Sequence, residues 1–187
     1  LNATRNTVVG NAAGVDIGEG NCNTMLGDNA GANTEYADFN TFIGTQSGHD
    51  NNRTAVTNNA NRNTALGAFS GWVNREGEDN VWIGMFADSG SWIGSFSHDT
   101  LVTDMQSSTS WNPPLSFSST GSDNAIYRTT VVGGFASAGE DDSVSIGYNC
   151  RSDNVNSIAI GSGASGTGTR DITIGASASS THTDAIV

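Results

Sequence analysis

The chain has 187 residues, 24 of them Gly, and is only 35% hydrophobic, which leaves little apolar surface for a conventional globular core. Its formal net charge is −12 and its seven basic residues are all Arg, so it repels a phosphate backbone and nucleic-acid binding is not expected. No run of about 18 apolar residues is present that would cross a membrane as a helix.

The chain opens at Leu1 with neither an initiator Met nor a signal-peptide pattern, which is the expectation for a segment of a longer protein. From there one short unit keeps returning: a polar pair, two residues ending in an aliphatic side chain, then Gly. It reads Asn6-Thr7-Val8-Val9-Gly10, Asn23-Thr24-Met25-Leu26-Gly27, Asn40-Thr41-Phe42-Ile43-Gly44 and Asn63-Thr64-Ala65-Leu66-Gly67. Looser copies end at Gly84 and Gly94, so the steps between glycines are 17, 17, 23, 17 and 10 residues. Small residues follow the early copies, as in Asn29-Ala30-Gly31 and Gln46-Ser47-Gly48. Residues 1–94 therefore form a first repeat array.

Residues 95–129 break the pattern, and Pro113-Pro114 within them favours an extended loop over a central strand. Residues 130–187 are stricter: Gly133, Gly147, Gly161 and Gly175 are each 14 residues apart. Val132, Ile146, Ile160 and Ile174 precede them, and Thr130, Val144, Ile158, Ile172 and Ile186 make a second column.

A run such as Ser157-Ile158-Ala159-Ile160 alternates large and small, so Ile158 and Ile160 share one side of a strand. Gly then permits a positive-φ corner. Ser, Thr and Asn supply corner hydrogen bonds and ladders between stacked coils. One coil cannot bury its own apolar face, so the pattern predicts an all-β parallel solenoid. Ten Gly anchors stacked at ~4.8 Å would give a rod on the order of 50 Å. Glycine recurs too often for helix, and no apolar stripe has a helical period.

The 14-residue block Ser157-Ile158-Ala159-Ile160-Gly161-Ser162-Gly163-Ala164, with Ile172-Thr173-Ile174-Gly175-Ala176-Ser177-Ala178, resembles the head repeat of trimeric autotransporter adhesins (YadA-like heads). That resemblance covers residues 130–187 and implies a left-handed parallel β-roll packed as a homotrimer. The longer units of residues 1–94 resemble repeats of phage and viral tail fibres, in which such units often precede a self-cleaving chaperone. Together the resemblances imply an extracellular or virion location, and attachment to a host receptor or surface glycan. The chain departs from the adhesin pattern in its 17- and 23-residue units and its insertion.

Insertions in solenoids often carry the binding face. Trp82, Trp92 and Trp111, with Phe86, Phe96 and Tyr127, gather around the break. Trp111, Tyr127 and Phe96 are the candidate ligand contacts, whereas Trp82 and Trp92 occupy core-like repeat positions. Glu76, Glu78 and Asp79, and Glu140, Asp141 and Asp142, read as solvated corners; a glycan-cleaving pair would need a defined separation across a groove. A calcium-binding glycine-aspartate repeat is absent, and no zinc spacing is present, so no metal or other cofactor is expected. His49, His98 and His182 are isolated, and no nucleophile motif is present, so no enzymatic activity is expected. Cys22 and Cys150 read as free thiols, each beside a repeat position. Asn2-Ala3-Thr4 and Asn52-Arg53-Thr54 are formal glycosylation sequons. The expectation is an adhesive, trimeric fibre module. Its rivals are a glycan-depolymerising tailspike, a purely structural filament and, more remotely, an ice-binding solenoid.

Overall fold

A computed structural model of the chain describes residues 3–52, 59–72, 74–89 and 126–187. Residues 1–91 and 123–187 form one unit. No helix occurs among the described residues, and every strand pairs in parallel.

Nine three-residue strands make one long sheet: β1 (Thr7–Val9), β2 (Thr24–Leu26), β3 (Thr41–Ile43), β4 (Thr64–Leu66), β5 (Val81–Ile83), β7 (Thr130–Val132), β9 (Val144–Ile146), β11 (Ile158–Ile160) and β13 (Ile172–Ile174). Ile186 adds a bridge beyond β13. Two-residue strands make a second sheet: β6 (Asp88–Ser89), β8 (Ser137–Ala138), β10 (Arg151–Ser152), β12 (Ser165–Gly166) and β14 (Ser179–Ser180). Each coil contributes one rung to the long sheet, so the chain is a parallel β-solenoid.

Register follows the repeat. Thr7 pairs with Thr24, Thr24 with Thr41 and Thr41 with Thr64; Val144 pairs with Ile158 and Ile158 with Ile172. Val81 pairs with Thr130, so the coil that leaves after Ser89 returns to the same stack. The unit ending at Gly94 lies outside the described residues.

The glycine before each corner meets two constraints at once. At Gly161 φ is 137°, and an added Cβ would lie 2.3 Å from the carbonyl oxygen of Gly175 in the next coil. Any side chain there would strain the backbone and force two coils apart.

Each strand turns its middle residue inward. Met25, Phe42, Ala65, Trp82, Val131, Ser145, Ala159 and Thr173 are all fully buried. The bore is narrow, so large inner residues need room from neighbours. Gly48 lies against Phe42, and a Cβ there would come within 2.5 Å of the ring. Gly71 does the same for Trp82, at 2.4 Å. The small residues trailing the early repeats thus have a packing reason.

A buried asparagine ladder tightens the first array. The backbone N–H groups of Asn23, Asn40, Asn63 and Asn80 donate to the side-chain oxygens of Asn6, Asn23, Asn40 and Asn63, at 2.8 to 3.0 Å. Thr129 continues it, donating to Asn80 through its N–H and its hydroxyl, both at 2.8 Å. In the second array Ser143 and Ser157 hold this position, each hydroxyl donating to a carbonyl three residues earlier.

Candidate functional site

With the middle residue of each three-residue strand inside, the residues on either side of it face outward. Val9, Leu26, Ile43, Leu66, Ile83, Val132, Ile146, Ile160 and Ile174 form one in-register column on the outer face of the long sheet. Val9 and Ile174 are more than half exposed, Leu26, Ile43 and Ile83 are also exposed, and Leu66, Val132, Ile146 and Ile160 are half-buried. A second column beside it reads Thr7, Thr24, Thr41, Thr64, Val81, Thr130, Val144, Ile158 and Ile172, becoming wholly aliphatic toward the C-terminus. Nine rungs at ~4.8 Å and two outward side chains per rung make a strip on the order of 40 Å by 10 Å. An apolar strip of that size marks an interaction surface.

Around the corner lies a ladder of rings. Phe69 and Phe86 stack with centroids 4.8 Å apart, Phe86 and Phe135 at 5.3 Å, and Tyr148 meets Phe135 edge-on at 5.9 Å. Phe69, Phe86 and Phe135 all adopt positive φ, two residues after a repeat glycine. Phe69 and Phe86 are buried, whereas Tyr148 is 53% exposed and Met85 is also open to solvent. Each ring takes up an offset or edge-on geometry favoured by its quadrupole. The sequence carries this signal as Gly-x-Phe at 67–69, 84–86 and 133–135, and it emerges once the repeats are aligned on their glycines.

Of the expected ligand contacts, Trp111 and Phe96 lie outside the described residues. Tyr127 is partly buried at a corner, its N–H donating to Asp141 at 2.9 Å, and burial raises its phenol pKa. Trp82 is fully inside the solenoid and Phe86 within the ring ladder, so these two do not join Tyr127 in one platform. Trp92 and His98 are outside the described residues.

Several acidic groups at the corners are held by arginine, whereas Asp50, Asp88 and Asp171 are buried. Arg62 holds Glu78 and Asp79, both at 2.6 Å, and Arg128 holds Asp142 at 2.6 Å. These guanidiniums keep Asp79 and Asp142 below the usual carboxylate range. Arg170 does the same for Asp184, which its Nε reaches at 2.7 Å. All three pairs lie on one corner column, in which each arginine reaches into the next coil.

His49 is not isolated: its Nδ1 lies 2.8 Å from Asp50 Oδ1, and its ring is 5.8 Å from that of Trp72. Asn33 also donates to Asp50, at 2.8 Å. His182 is exposed, with its Nδ1 3.3 Å from the hydroxyl of neighbouring Thr181. No group of three or more His, Cys, Asp or Glu residues that could hold a metal occurs among the described residues. Both cysteines are free, Cys150 buried with its thiol donating to the carbonyl of Ala159 at 3.2 Å. Asn52 is fully buried and accepts from Tyr36 N–H at 3.0 Å, so this sequon offers no accessible amide. Asn2 is outside the described residues. No described helix is long and apolar enough to cross a membrane. No family model matches the chain, and no curated protein matches it.

Proposed function

We propose that this chain is a non-enzymatic, adhesive fibre module of a virion tail fibre or cell-surface adhesin, acting as a homotrimer. The observation that carries this reading is the aliphatic column running through all nine rungs of the long sheet. A single chain leaves that column against water, at a cost of roughly 25 cal/mol for each Å² of apolar surface. Three chains facing one another through it would cover it, as the resemblance to adhesin heads implies. The exposed ledge of Tyr148 and Met85, beside Phe135, offers an aromatic surface for a receptor or a sugar ring. Three copies of the ledge on one stiff shaft would gain affinity by avidity, without bond making. Arginine pairing of Glu78, Asp79 and Asp142 at outer corners supports the non-enzymatic reading.

Light scattering of the native chain tests the assembly. The expected mass is that of three chains, falling to one chain in an Ile146→Thr, Ile160→Thr double variant with an unchanged far-ultraviolet circular dichroism spectrum. A single-chain mass for the native protein overturns the proposal. The face would then stand open, with Thr7, Thr24, Thr41 and Thr64 in register beside the aliphatic column. That regular array favours an ice-binding solenoid as the second reading, and thermal hysteresis of the monomer checks it.

A further inference from the structure

In the last coils the inward strand positions carry hydroxyls at Ser145 and Thr173, where the first array carries Met25, Phe42, Ala65 and Trp82. Ser145, Ser152, Asp171, Thr173 and Ser180 are all buried, Ser180 at 3% exposure and the others fully. Ser145 Oγ, Ser152 Oγ, Asp171 Oδ1, Thr173 Oγ1 and Ser180 Oγ have no hydrogen-bond partner among the described residues. Their placement is ordered. Ser152, Gly166 and Ser180 are consecutive in one inward column of the second sheet, and Ser145, Ala159 and Thr173 are consecutive in the inward column of the long sheet. The two smallest side chains, Ala159 and Gly166, therefore share a coil, with hydroxyl residues on the rungs to either side.

Asp171 enters this interior at Gly166. A Cβ on Gly166 would lie 3.0 Å from Asp171 Oδ1 and 3.2 Å from Oδ2, so the missing side chain admits the carboxylate. Asp171 occupies the ladder position that Ser143 and Ser157 hold in the preceding coils. There a hydroxyl donates to a carbonyl; here the carboxylate accepts from the Gly168 N–H, at 3.2 Å. Oδ2 is used in this way and Oδ1 is not.

A buried carboxylate with a single neutral donor carries a desolvation cost of several kcal/mol unless a counter-charge meets it. Every described arginine is at least partly exposed, and the neighbouring Arg170 is engaged with Asp184. We propose that the C-terminal coils hold a small monovalent hard cation, sodium, at Asp171, with the hydroxyls of Ser152, Ser180 and Thr173 contributing directly or through water. All of these donors are oxygen, the ligand class of hard cations. One carboxylate among neutral hydroxyls balances a single positive charge, whereas calcium sites gain affinity by gathering several carboxylates. Ser152 and Ser180 lie one rung to either side of the Gly166 level, about 10 Å apart at ~4.8 Å per rung, so an ion at that level would meet at most one of them directly and the other through water.

A ligand that binds only the folded chain raises its stability by mass action. Thermal unfolding of the full chain is therefore compared in sodium chloride and in choline chloride at one ionic strength. The expected result is a midpoint higher by several degrees in sodium. The difference should disappear in Asp171→Asn and shrink in the Ser152→Ala, Ser180→Ala double variant. Asparagine fills this ladder position in the first array, so Asp171→Asn is compatible with folding. Equal midpoints in the two salts, the same sodium response in Asp171→Asn, or a response to calcium alone would each overturn the proposal. The readout does not depend on oligomeric state, since light scattering in both salts separates assembly from cation binding.

Discussion

Asn23 shows how one side chain joins two coils. Its Oδ1 accepts from Asn40 N–H and its Nδ2 donates to the carbonyl of Ala37, both at 2.8 Å and both buried. Asn23→Ala strands both groups, and at about 1–3 kcal/mol for each unsatisfied buried partner the expected loss is about 2–6 kcal/mol. Urea unfolding of the variant checks this. The repeat glycines give a sharper contrast. At Gly161 an added Cβ would meet the next coil's backbone at 2.3 Å, whereas at Gly175 the nearest atom is 3.6 Å away, and both have φ near 140°. Gly175→Ala therefore carries the backbone strain alone, about 1–3 kcal/mol. Gly161→Ala adds a clash between coils, and its urea midpoint should fall well below that of Gly175→Ala. These glycines are legible as soon as the spacing is read, because one residue type held at a fixed period points to a backbone constraint repeated in every coil. Asp171 is not legible: a single Asp in a polar corner looks like every other acidic residue until Gly166 is placed beside it.

At the level of the strand, the alternation in Ser157-Ile158-Ala159-Ile160 is plain in the sequence, but which side faces inward is not. Period two defines two faces without saying which is enclosed. In a two-layer domain the large residues would fill the core. Here a 14-residue coil closes around a bore that holds Ser145, Ala159 and Thr173, so Ile158 and Ile160 are turned out. The corners follow a similar logic of position. Arg62 with Asp79, Arg128 with Asp142 and Arg170 with Asp184 link successive coils, and each Asp is held below its ordinary range by hydrogen bonding to its arginine. A depressed folded-state value means that the stabilisation is present above the unfolded carboxylate range and is lost as pH falls through the lowered value. Stability should therefore decline on acidification from about pH 4 downward. Because these pairs are exposed, the decline should be shallow and should flatten further in high salt. Acid titrations followed by circular dichroism at low and high ionic strength, with Arg170→Gln as the less acid-sensitive variant, check the sign.

For the whole molecule the controlling fact is that contacts are made between successive coils, so length enters as whole coils. Strand β5 pairs with β7 across 46 intervening residues, from Gly84 to Thr129, without a change of register. The 23-residue step between Gly44 and Gly67 is accommodated between β3 and β4 in the same way. Extra residues between rungs are tolerated as long as the flanking rungs keep their register. Removal of residues obeys a stricter rule. Deleting residues 147–160 joins Ile146 to Gly161 and brings Val144–Ile146 directly against Ile172–Ile174, with Ser145 facing Thr173 in the inner column. Each glycine, ladder residue and outward aliphatic then still meets its counterpart. Deleting only residues 147–153 would instead push second-sheet residues under the long sheet and place Ile158 and Ile160 where no matching column exists. In a solenoid, stability is approximately a sum of coil and nearest-neighbour terms. The 14-residue deletion should therefore unfold cooperatively with an unshifted circular dichroism spectrum. Its urea m-value should be lower, in step with the surface that one coil buries. The seven-residue deletion should lose the cooperative transition. If both deletions behaved alike, stacking in register would not be what holds the chain together.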